Sequence, residues 1–265
     1  MNSLLTVTVP INFGQKKSGV SLGAKELYDS YFNNYDNKKF NLVSNDKSEN
    51  LFALQRFIKE EIEEKYKMIV YLGGDHSMSM GTISGQFLNY EKEKCVIWLD
   101  AHTDCNNILK SETGNIHGMP VAALLGDLEE PYDKFKCLRY DDICYIGTRS
   151  IDNYEKEYIK KHQILNLGIN VVNDNLDLVI QKMDNFINNR DVHISFDIDI
   201  MDPSLISSTG TPEKQGVNME QIKSIFTFLK GKNVKSMDIV ELNPELGDLN
   251  AVSYTHLRAH ETDSY

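Results

Sequence analysis

The feature of this sequence that most restricts its fold is the alternation of short apolar runs with longer amphipathic segments. The apolar runs are typical of strands buried on both faces of a sheet, and they occupy residues 4–9, 68–72, 95–99, 143–146, 193–196 and 236–240. The segments between them have helical spacing, most clearly from Leu51, where apolar residues recur three or four apart. The alternation predicts an α/β fold: a single domain with a mostly parallel β-sheet and helices on both faces.

The remaining segments complete this expected organisation. Further helices are predicted to begin near Val20, Ser77, His117, Asp152, Asp174 and Val217. The stretch from Asn33 to Asn50 is rich in Asn, Asp and Lys, so we expect a solvated loop there. A chain of 265 residues suits one large domain with a sizeable core.

The composition limits the classes of partner and compartment. Lys and Arg number 28 against 39 Asp and Glu, a net charge of −11, and no basic cluster could follow a phosphate backbone, which argues against nucleic acid. The N-terminus has no basic leader, and no run of roughly 18 apolar residues occurs; we therefore expect a cytoplasmic protein without a membrane partner. Its four cysteines show no metal-type pairing and are expected to be small hydrophobes or idle thiols.

Polar side chains follow directly after four of the predicted strands. In WLDAHTD, residues 98–104, two aspartates and a histidine stand at alternate positions, so an extended backbone points all three to one side. The carboxyl ends of parallel strands open into one crevice. Six potential ligands from three strand ends are expected to meet there: His76, Asp100, His102, Asp104, Asp197 and Asp199. The strand at 236–240 likewise runs into Glu241.

These six side chains predict a metal centre. The three clusters contain no Lys or Arg, and burying the four carboxylates unpaired would cost several kcal/mol per ion. Four carboxylates and two imidazoles can serve two cations with bridging oxygens, but they are too many for one tetrahedral zinc. Such ligands favour Mn²⁺, with Mg²⁺ as a harder rival and Fe²⁺ or Co²⁺ left open. Two cations roughly 3.5 to 4 Å apart would lower the pKa of a bridging water towards ~7, as a hydrolase requires.

Five segments of the chain, in order, resemble the ureohydrolases, the manganese enzymes that include arginase, agmatinase and formiminoglutamase. The segments are VPINFGQKKSGV (9–20), GGDHS (73–77), DAHTD (100–104), SFDIDIMDP (195–203) and MDIVELNP (237–244). The resemblance covers the chain up to about residue 250. It implies an arginase-like three-layer α/β/α fold, two Mn²⁺ ions per subunit and a homo-oligomer, either trimer or hexamer. Ile200 departs from the family, which usually has glycine at that position.

Within the family, residues 100–120 are similar to arginase in particular. The resemblance assigns Asn106, Thr113 and Asn115 to a substrate α-carboxylate, Asp152 and Glu155 to its α-ammonium, and Thr211 and Glu241 to its guanidinium. His117 matches the loop histidine that relays protons in arginases. Neutral donors suit a carboxylate beside an acid-rich centre, and acids suit an ammonium. Plainer alternatives are that His117 merely starts a helix and that Asp152 is only a helix N-cap.

The function expected from this resemblance is hydrolysis of L-arginine to L-ornithine and urea. Hydroxide held by the two cations would attack the guanidinium carbon, Glu241 would hold the positive group, and Asp104 would pass a proton to the leaving amine. One alternative is agmatinase or another ureohydrolase acting on a guanidino or formimino substrate. A binuclear phosphoesterase is disfavoured because the motif loops lack basic residues for a phosphate.

The last residues depart from the family pattern. Residues 252–262, VSYTHLRAHET, look like the translation of an adapter from transposon-based sequencing libraries. We therefore expect residues 1–251 to be the catalytic domain, lacking the family's terminal helix, and 252–265 to be a non-native tail. On this hypothesis an exposed apolar patch would lower stability, and the chain could be an inactive metal-binding scaffold.

Overall fold

In the part of the chain that the structure describes, eight parallel strands form one sheet. The computed structural model describes residues 4–62, 65–88 and 91–247. The strands are β1 (Leu4–Val9), β2 (Asp36–Lys39), β3 (Met68–Gly73), β4 (Lys94–Leu99), β5 (Ile143–Ile146), β6 (Leu165–Leu167), β7 (Asp191–Asp197) and β8 (Val234–Val240). Their order is β2-β1-β3-β8-β7-β4-β5-β6, and each described pair is parallel. The predicted α/β class is confirmed.

Helices cover both faces of this sheet. They are α1 (Ser21–Leu27), α2 (Lys47–Glu61), α3 (Ser79–Phe87), α4 (Pro120–Leu125), α5 (Asn153–His162), α6 (Ile169–Asp174), α7 (Leu176–Ile187) and α8 (Met219–Lys230). On one face, α1, α6, α7 and α8 pack on alternate residues of the central strands. On the other face, α2, α3, α4 and α5 pack on the residues in between. The strands are therefore apolar on both sides, which explains their continuous hydrophobic runs.

The expected loop from Asn33 to Asn50 was wrong in part. Residues Asp36–Lys39 form β2, which pairs with β1 at the sheet edge, and α2 begins at Lys47. An edge strand can be short and polar because only one side is hydrogen-bonded and its side chains face solvent, so β2 has no apolar signal. Asp46 caps α2 by accepting a hydrogen bond from the Glu49 amide at 2.9 Å.

Several helices begin a few residues away from their predicted positions. The segment predicted as a helix near His117 is a short 3₁₀ turn over Ile116–Gly118, followed by α4. A similar 3₁₀ turn over His76–Met78 precedes α3. The helix expected near Asp174 is two helices, α6 and α7, separated at Asn175, whose side chain caps α7.

Strand order places the predicted ligands together. The four central neighbours are β3, β8, β7 and β4, and their carboxyl ends lead directly into the motif residues His76, Glu241, Asp197 and Asp100. In a parallel sheet these ends share one edge, so the fold brings distant parts of the sequence to one point.

Three further expectations concern the cysteines, membrane-spanning helices and the C-terminal tail. The four cysteines are free thiols, three of them buried. None of the helices within the described ranges is long and apolar enough to cross a membrane. The tail predicted at residues 252–265 lies outside the described residues.

Candidate metal centre

The six predicted ligands lie together at the carboxyl edge of the sheet. His76, Asp100 and Asp197 form one group whose ligand atoms are mutually within 4.8 Å, and Asp100, His102 and Asp199 form a second. Because Asp100 belongs to both groups, the geometry is that of two adjacent cation sites with a shared carboxylate.

Asp104 completes the first group. Its Oδ2 lies 2.9 Å from His76 Nδ1, while Asp100 Oδ2 and Asp197 Oδ2 lie at 3.2 and 3.3 Å from the same nitrogen. Asp104 has a φ of 46°, in the left-handed region that a residue with a side chain adopts only when its surroundings enforce it. The backbone strain is thus located at a residue whose side chain points into the centre.

Backbone and side-chain donors fix the carboxylates in place. Asp100 accepts hydrogen bonds from Trp98 Nε1 at 3.0 Å and from the His102 amide at 2.7 Å. Asp197 accepts from the Asp199 amide at 2.8 Å, and Asp199 accepts from the Ala101 amide at 3.2 Å. Oriented ligands of this kind are typical of metal sites, where supporting hydrogen bonds fix the direction of each carboxylate.

His76 is held on three sides. Its Nε2 is 2.7 Å from Ser195 Oγ, its ring stacks on Trp98 with centroids 4.3 Å apart, and its amide donates to Glu241 Oε1 at 2.9 Å. The contact with Ser195 leaves Nδ1 as the nitrogen that faces the carboxylates. Among the described residues, none meets the angular requirement for a hydrogen bond to this buried Nδ1, although the three carboxylate oxygens lie within 3.3 Å of it.

The electrostatics of the centre call for positive charge. Burial opposes protonation of His76, yet three neighbouring carboxylates raise its pKa well above the ordinary value. Burial, with the charges of Asp199 and Asp100, also raises the pKa of Asp197 well above its usual range, and the pKa of Asp199 rises to about 6 mainly through burial. A centre that attracts protons this strongly suits divalent cations, as do its oxygen-rich donors and the His76 Nδ1 that faces three carboxylates.

A cavity of about 150 Å³ opens directly over the ligands. His76, His102, Asp104 and Asp197 contribute to its floor, and the predicted substrate residues Asn106, Thr113, Asn115, His117, Glu155 and Thr211 contribute to its wall. Thr211 Oγ1 donates to Asp199 Oδ2 at 3.0 Å, which ties the wall to the floor. The cavity therefore joins neutral amide and hydroxyl groups to the acidic centre.

Two of the predicted substrate residues, Glu241 and Asp152, do not line the cavity. Glu241 is 1% exposed, and its carboxylate accepts from Gln15 Nε2 at 2.5 Å and approaches His117 Nδ1 at 3.1 Å. Its φ of 65° again places a functional side chain on left-handed backbone. Asp152 caps α5, accepting from the Glu155 amide at 2.8 Å, and also accepts a hydrogen bond from Asn106 Nδ2. Asp152 therefore is an N-cap, as the plainer alternative held, and also contacts the cavity wall.

Glu155 stands out among the wall residues. Burial raises its pKa to about 7, although its carboxylate accepts a hydrogen bond from the Asp152 amide at 3.1 Å. A carboxyl group that titrates near neutral pH beside a cavity is well suited to pair with a ligand ammonium.

Three supporting residues were not identified from the sequence. Gln15 contacts Glu241, although the two lie 226 residues apart. Asp75 accepts from the Gly14 amide at 2.8 Å and the Ser77 amide at 3.0 Å, which joins the first loop to the His76 turn. Arg149 donates to the carbonyls of loop residues that include Asp199, at 2.7 Å. Gln15 and Asp75 stand within quoted motifs, but only the fold reveals their partners.

Ile200, the departure from the family pattern, fits without disturbing the ligands. Its side chain is fully buried in the 3₁₀ turn that follows β7. A Cβ added to Gly147 would lie 2.7 Å from Ile200 Cγ1, so the larger side chain occupies space that this glycine leaves open.

Comparison with known proteins agrees with this geometry. Residues 5–259 match the family model described as Arginase family. The chain belongs to the arginase family. An arginase from Glaciozyma antarctica is 33% identical, covering 94% of this chain and 83% of its own length, and bovine arginase-1 is 34% identical, covering 92% and 86%.

Solved arginases share the whole architecture. Arginase from Entamoeba histolytica superimposes with a TM-score of 0.87 at 28% identity, covering 95% of both chains. Arginase from Bacillus subtilis gives a TM-score of 0.85 at 27% identity, covering 96% of this chain and 95% of its own. This arginase-family protein is a hydrolase, as its motifs predicted, and it carries groups of side chains able to bind metal ions.

Proposed function

We propose that this protein hydrolyses L-arginine to L-ornithine and urea with two Mn²⁺ ions per subunit. The observation that supports this most is the combination of an acidic floor, which needs cations, with a wall of neutral donors and one acid that titrates near neutrality. The similar arginase from Entamoeba histolytica was solved in complex with L-ornithine, the product we propose here.

The chemical roles follow from position. Two divalent cations at the ligand groups would acidify a water molecule and polarise the substrate. Water adds to the guanidinium carbon, the bond from that carbon to the side-chain nitrogen breaks, and this nitrogen leaves as an amine after gaining a proton. Asp104, which lines the cavity floor, would carry that proton, and His117, whose side chain is 17% exposed and lies beside Glu241, would exchange protons with solvent.

Substrate recognition uses the two kinds of wall residue. Asn106, Thr113 and Asn115 offer neutral hydrogen-bond donors to an α-carboxylate, which an acid-rich site would otherwise repel. Glu155, which forms reciprocal hydrogen bonds with Asp152, offers negative charge to an α-ammonium. Thr211 stands beside the floor where the guanidinium would lie, and Glu241 supports that region from behind.

Agmatine is the second candidate substrate, because a fold neighbour is a putative agmatinase from Clostridium difficile. It is disfavoured because it has no α-carboxylate for the neutral donors on the wall. The arginase resemblance also supports a homo-oligomer, either a trimer or a hexamer.

Chelation tests the metal part of the proposal. Protein stripped with a chelator should release no urea from L-arginine, and activity should return best with Mn²⁺ rather than Mg²⁺ or Zn²⁺. Metal analysis of the reactivated protein should give two Mn²⁺ per chain. Full activity in protein shown to contain no metal would refute the mechanism.

A further inference from the structure

A second buried polar cluster lies behind the metal centre, between β8 and α3. Asp238 is fully buried, and its Oδ2 accepts hydrogen bonds from Ser79 Oγ at 2.6 Å and Thr82 Oγ1 at 2.7 Å. His193 Nε2 lies 3.5 Å from the same oxygen, and its Nδ1 is 2.8 Å from Ser236 Oγ. None of these residues contributes to the cavity described above.

Stability alone is a poor explanation for a carboxylate at this position. Burying a charged group costs several kcal/mol, and apolar residues of similar volume often pack as well or better. Within the described part of the chain, Asp238 Oδ1 has no hydrogen-bond partner. Both hydroxyl donors to Asp238 therefore bind the same oxygen, Oδ2, and both belong to the first turn of α3.

That turn is directly connected to His76. The Ser79 amide donates to the His76 carbonyl at the end of the 3₁₀ turn, so Ser79 contacts Asp238 through its side chain and His76 through its backbone. Glu241, the residue that follows β8, accepts a hydrogen bond from the His76 amide at 2.9 Å. The segment bearing His76 is thus attached to the β8 region at two points, Asp238 and Glu241.

The neighbouring strand supports the same arrangement. Ser195 on β7 is the register partner of Asp238, and its hydroxyl contacts His76 Nε2. The backbone of His76 is held from β8 while its ring is held from β7. A displacement of the start of α3 would therefore move Nδ1 relative to the three carboxylates around it.

We propose that Asp238 is a positioning residue for the metal centre: through Ser79 and Thr82 it fixes the start of α3 and so sets cation affinity at the site containing His76. It contacts neither a cation ligand nor the substrate cavity. This inference rests on the proposed two-cation centre. It deepens that proposal because it assigns control of one site, and not the other, to a cluster outside the cavity.

Calorimetric titration of the metal-free, full-length protein with Mn²⁺ tests the assignment. The variant Ser79→Ala/Thr82→Val removes both hydroxyl donors with little change in volume, and we expect one of the two sites to weaken about 10- to 100-fold, the range typical of groups that support metal ligands. The site containing His102 should keep its affinity. His76→Ala identifies the affected site, because it should abolish the same binding event.

Two further variants separate positioning from general destabilisation. Ser84→Ala removes another fully buried hydroxyl from α3, one that contacts Gln55 on α2 instead of β8, and should leave both Mn²⁺ affinities unchanged even if it lowers the Tm of the metal-free protein. Asp238→Asn keeps an acceptor for both hydroxyls and should bind within about threefold of the unaltered protein, a difference below 1 kcal/mol.

The outcomes distinguish this inference from the proposed function. If the unaltered protein binds no divalent cation, both are overturned. If it binds two and the double variant binds them equally well, or loses affinity equally at both sites, the positioning role alone is overturned. Selective loss at the His76 site, with retention in Ser84→Ala and Asp238→Asn, supports it.

Discussion

Asp197 illustrates how a predicted metal ligand can oppose the stability of the metal-free protein. It is buried beside Asp199 and Asp100, and these surroundings raise its pKa well above the ordinary value. A raised carboxyl pKa means that folding disfavours the charged form, so its effect on stability worsens as pH rises through the folded pKa. A bound cation reverses this effect because it makes the charge favourable.

Replacement Asp197→Asn should therefore separate stability from metal binding. The amide can still accept the hydrogen bond from the Asp199 backbone. We expect the metal-free variant to have a Tm about 2–4 °C above that of the metal-free parent at pH 8, corresponding to roughly 1 kcal/mol. This difference in Tm should shrink at acid pH, where Asp197 is protonated. Calorimetry measures the Tm of each protein with and without Mn²⁺.

The same substitution should remove most of the stabilisation by Mn²⁺, because a cation stabilises the folded state only at concentrations well above its Kd, and the stabilisation grows with the logarithm of affinity. Asp184→Asn, an exposed change on α7, serves as the control and should leave the Mn²⁺-dependent increase intact. A variant that is less stable than the parent without metal, or equally stabilised by Mn²⁺, would contradict this description of Asp197.

Glu155 predicts a pH dependence in substrate binding. Because burial raises its pKa to about 7, the carboxyl is mostly neutral at pH 6 and mostly ionised at pH 8. The KM for L-arginine should fall as pH rises through this interval, by up to about tenfold, since the ionised group pairs with the substrate ammonium. Steady-state urea release at several pH values measures the effect.

Variants on α5 provide the comparison for Glu155. Glu155→Gln should abolish the part of the KM change that the carboxyl causes, so the ratio of variant to parent KM should grow from pH 6 to pH 8. Glu157→Gln, an exposed change of the same kind on the same helix, should follow the parent. An unchanged KM ratio across the range would show that Glu155 does not contact the ammonium.

At the scale of elements, α5 combines a structural cap with the substrate contact that we propose. Asp152 and Glu155 form a reciprocal capping box at its start. We expect Asp152→Ala to lower the free energy of unfolding by about 0.5–2 kcal/mol through loss of the cap, and also to raise KM for L-arginine. Urea denaturation and kinetics measure the two effects.

A second substitution separates those effects. Asp152→Ser keeps a capping oxygen but removes the charge, so it should recover most of the stability and leave KM raised. Recovery of both properties would mean that Asp152 acts only as a cap.

The sequence predicted the central elements and the ligand cluster for one physical reason. Strands buried on both faces have continuous apolar runs, and parallel strands bring their carboxyl ends to one edge, so polar residues after β3, β4 and β7 had to meet. The edge strands β2 and β6 were not predicted because they are short and contain no continuous run of buried apolar residues. Gln15 escaped because its partner, Glu241, lies at the other end of the chain.

At the scale of the whole molecule, charge and fold act together. The chain carries a net charge of −11, and four aspartates converge at one edge of a sheet that is otherwise apolar on both faces. Their convergence is imposed by strand order, and burial together with neighbouring carboxylates raises the pKa of three of them, Asp104, Asp197 and Asp199. The fold thus maintains a site that is unfavourable alone and favourable with cations bound.

The comparison of L-arginine with agmatine tests the central claim most directly. The two substrates share the guanidinium but differ in the α-carboxylate, which only the neutral wall of the cavity would recognise. With the Mn²⁺-loaded protein and urea release as the readout, we predict a kcat/KM for L-arginine at least about 100-fold above that for agmatine, because unpaired polar groups penalise the smaller substrate. Comparable values for the two, or a preference for agmatine, would contradict the assignment.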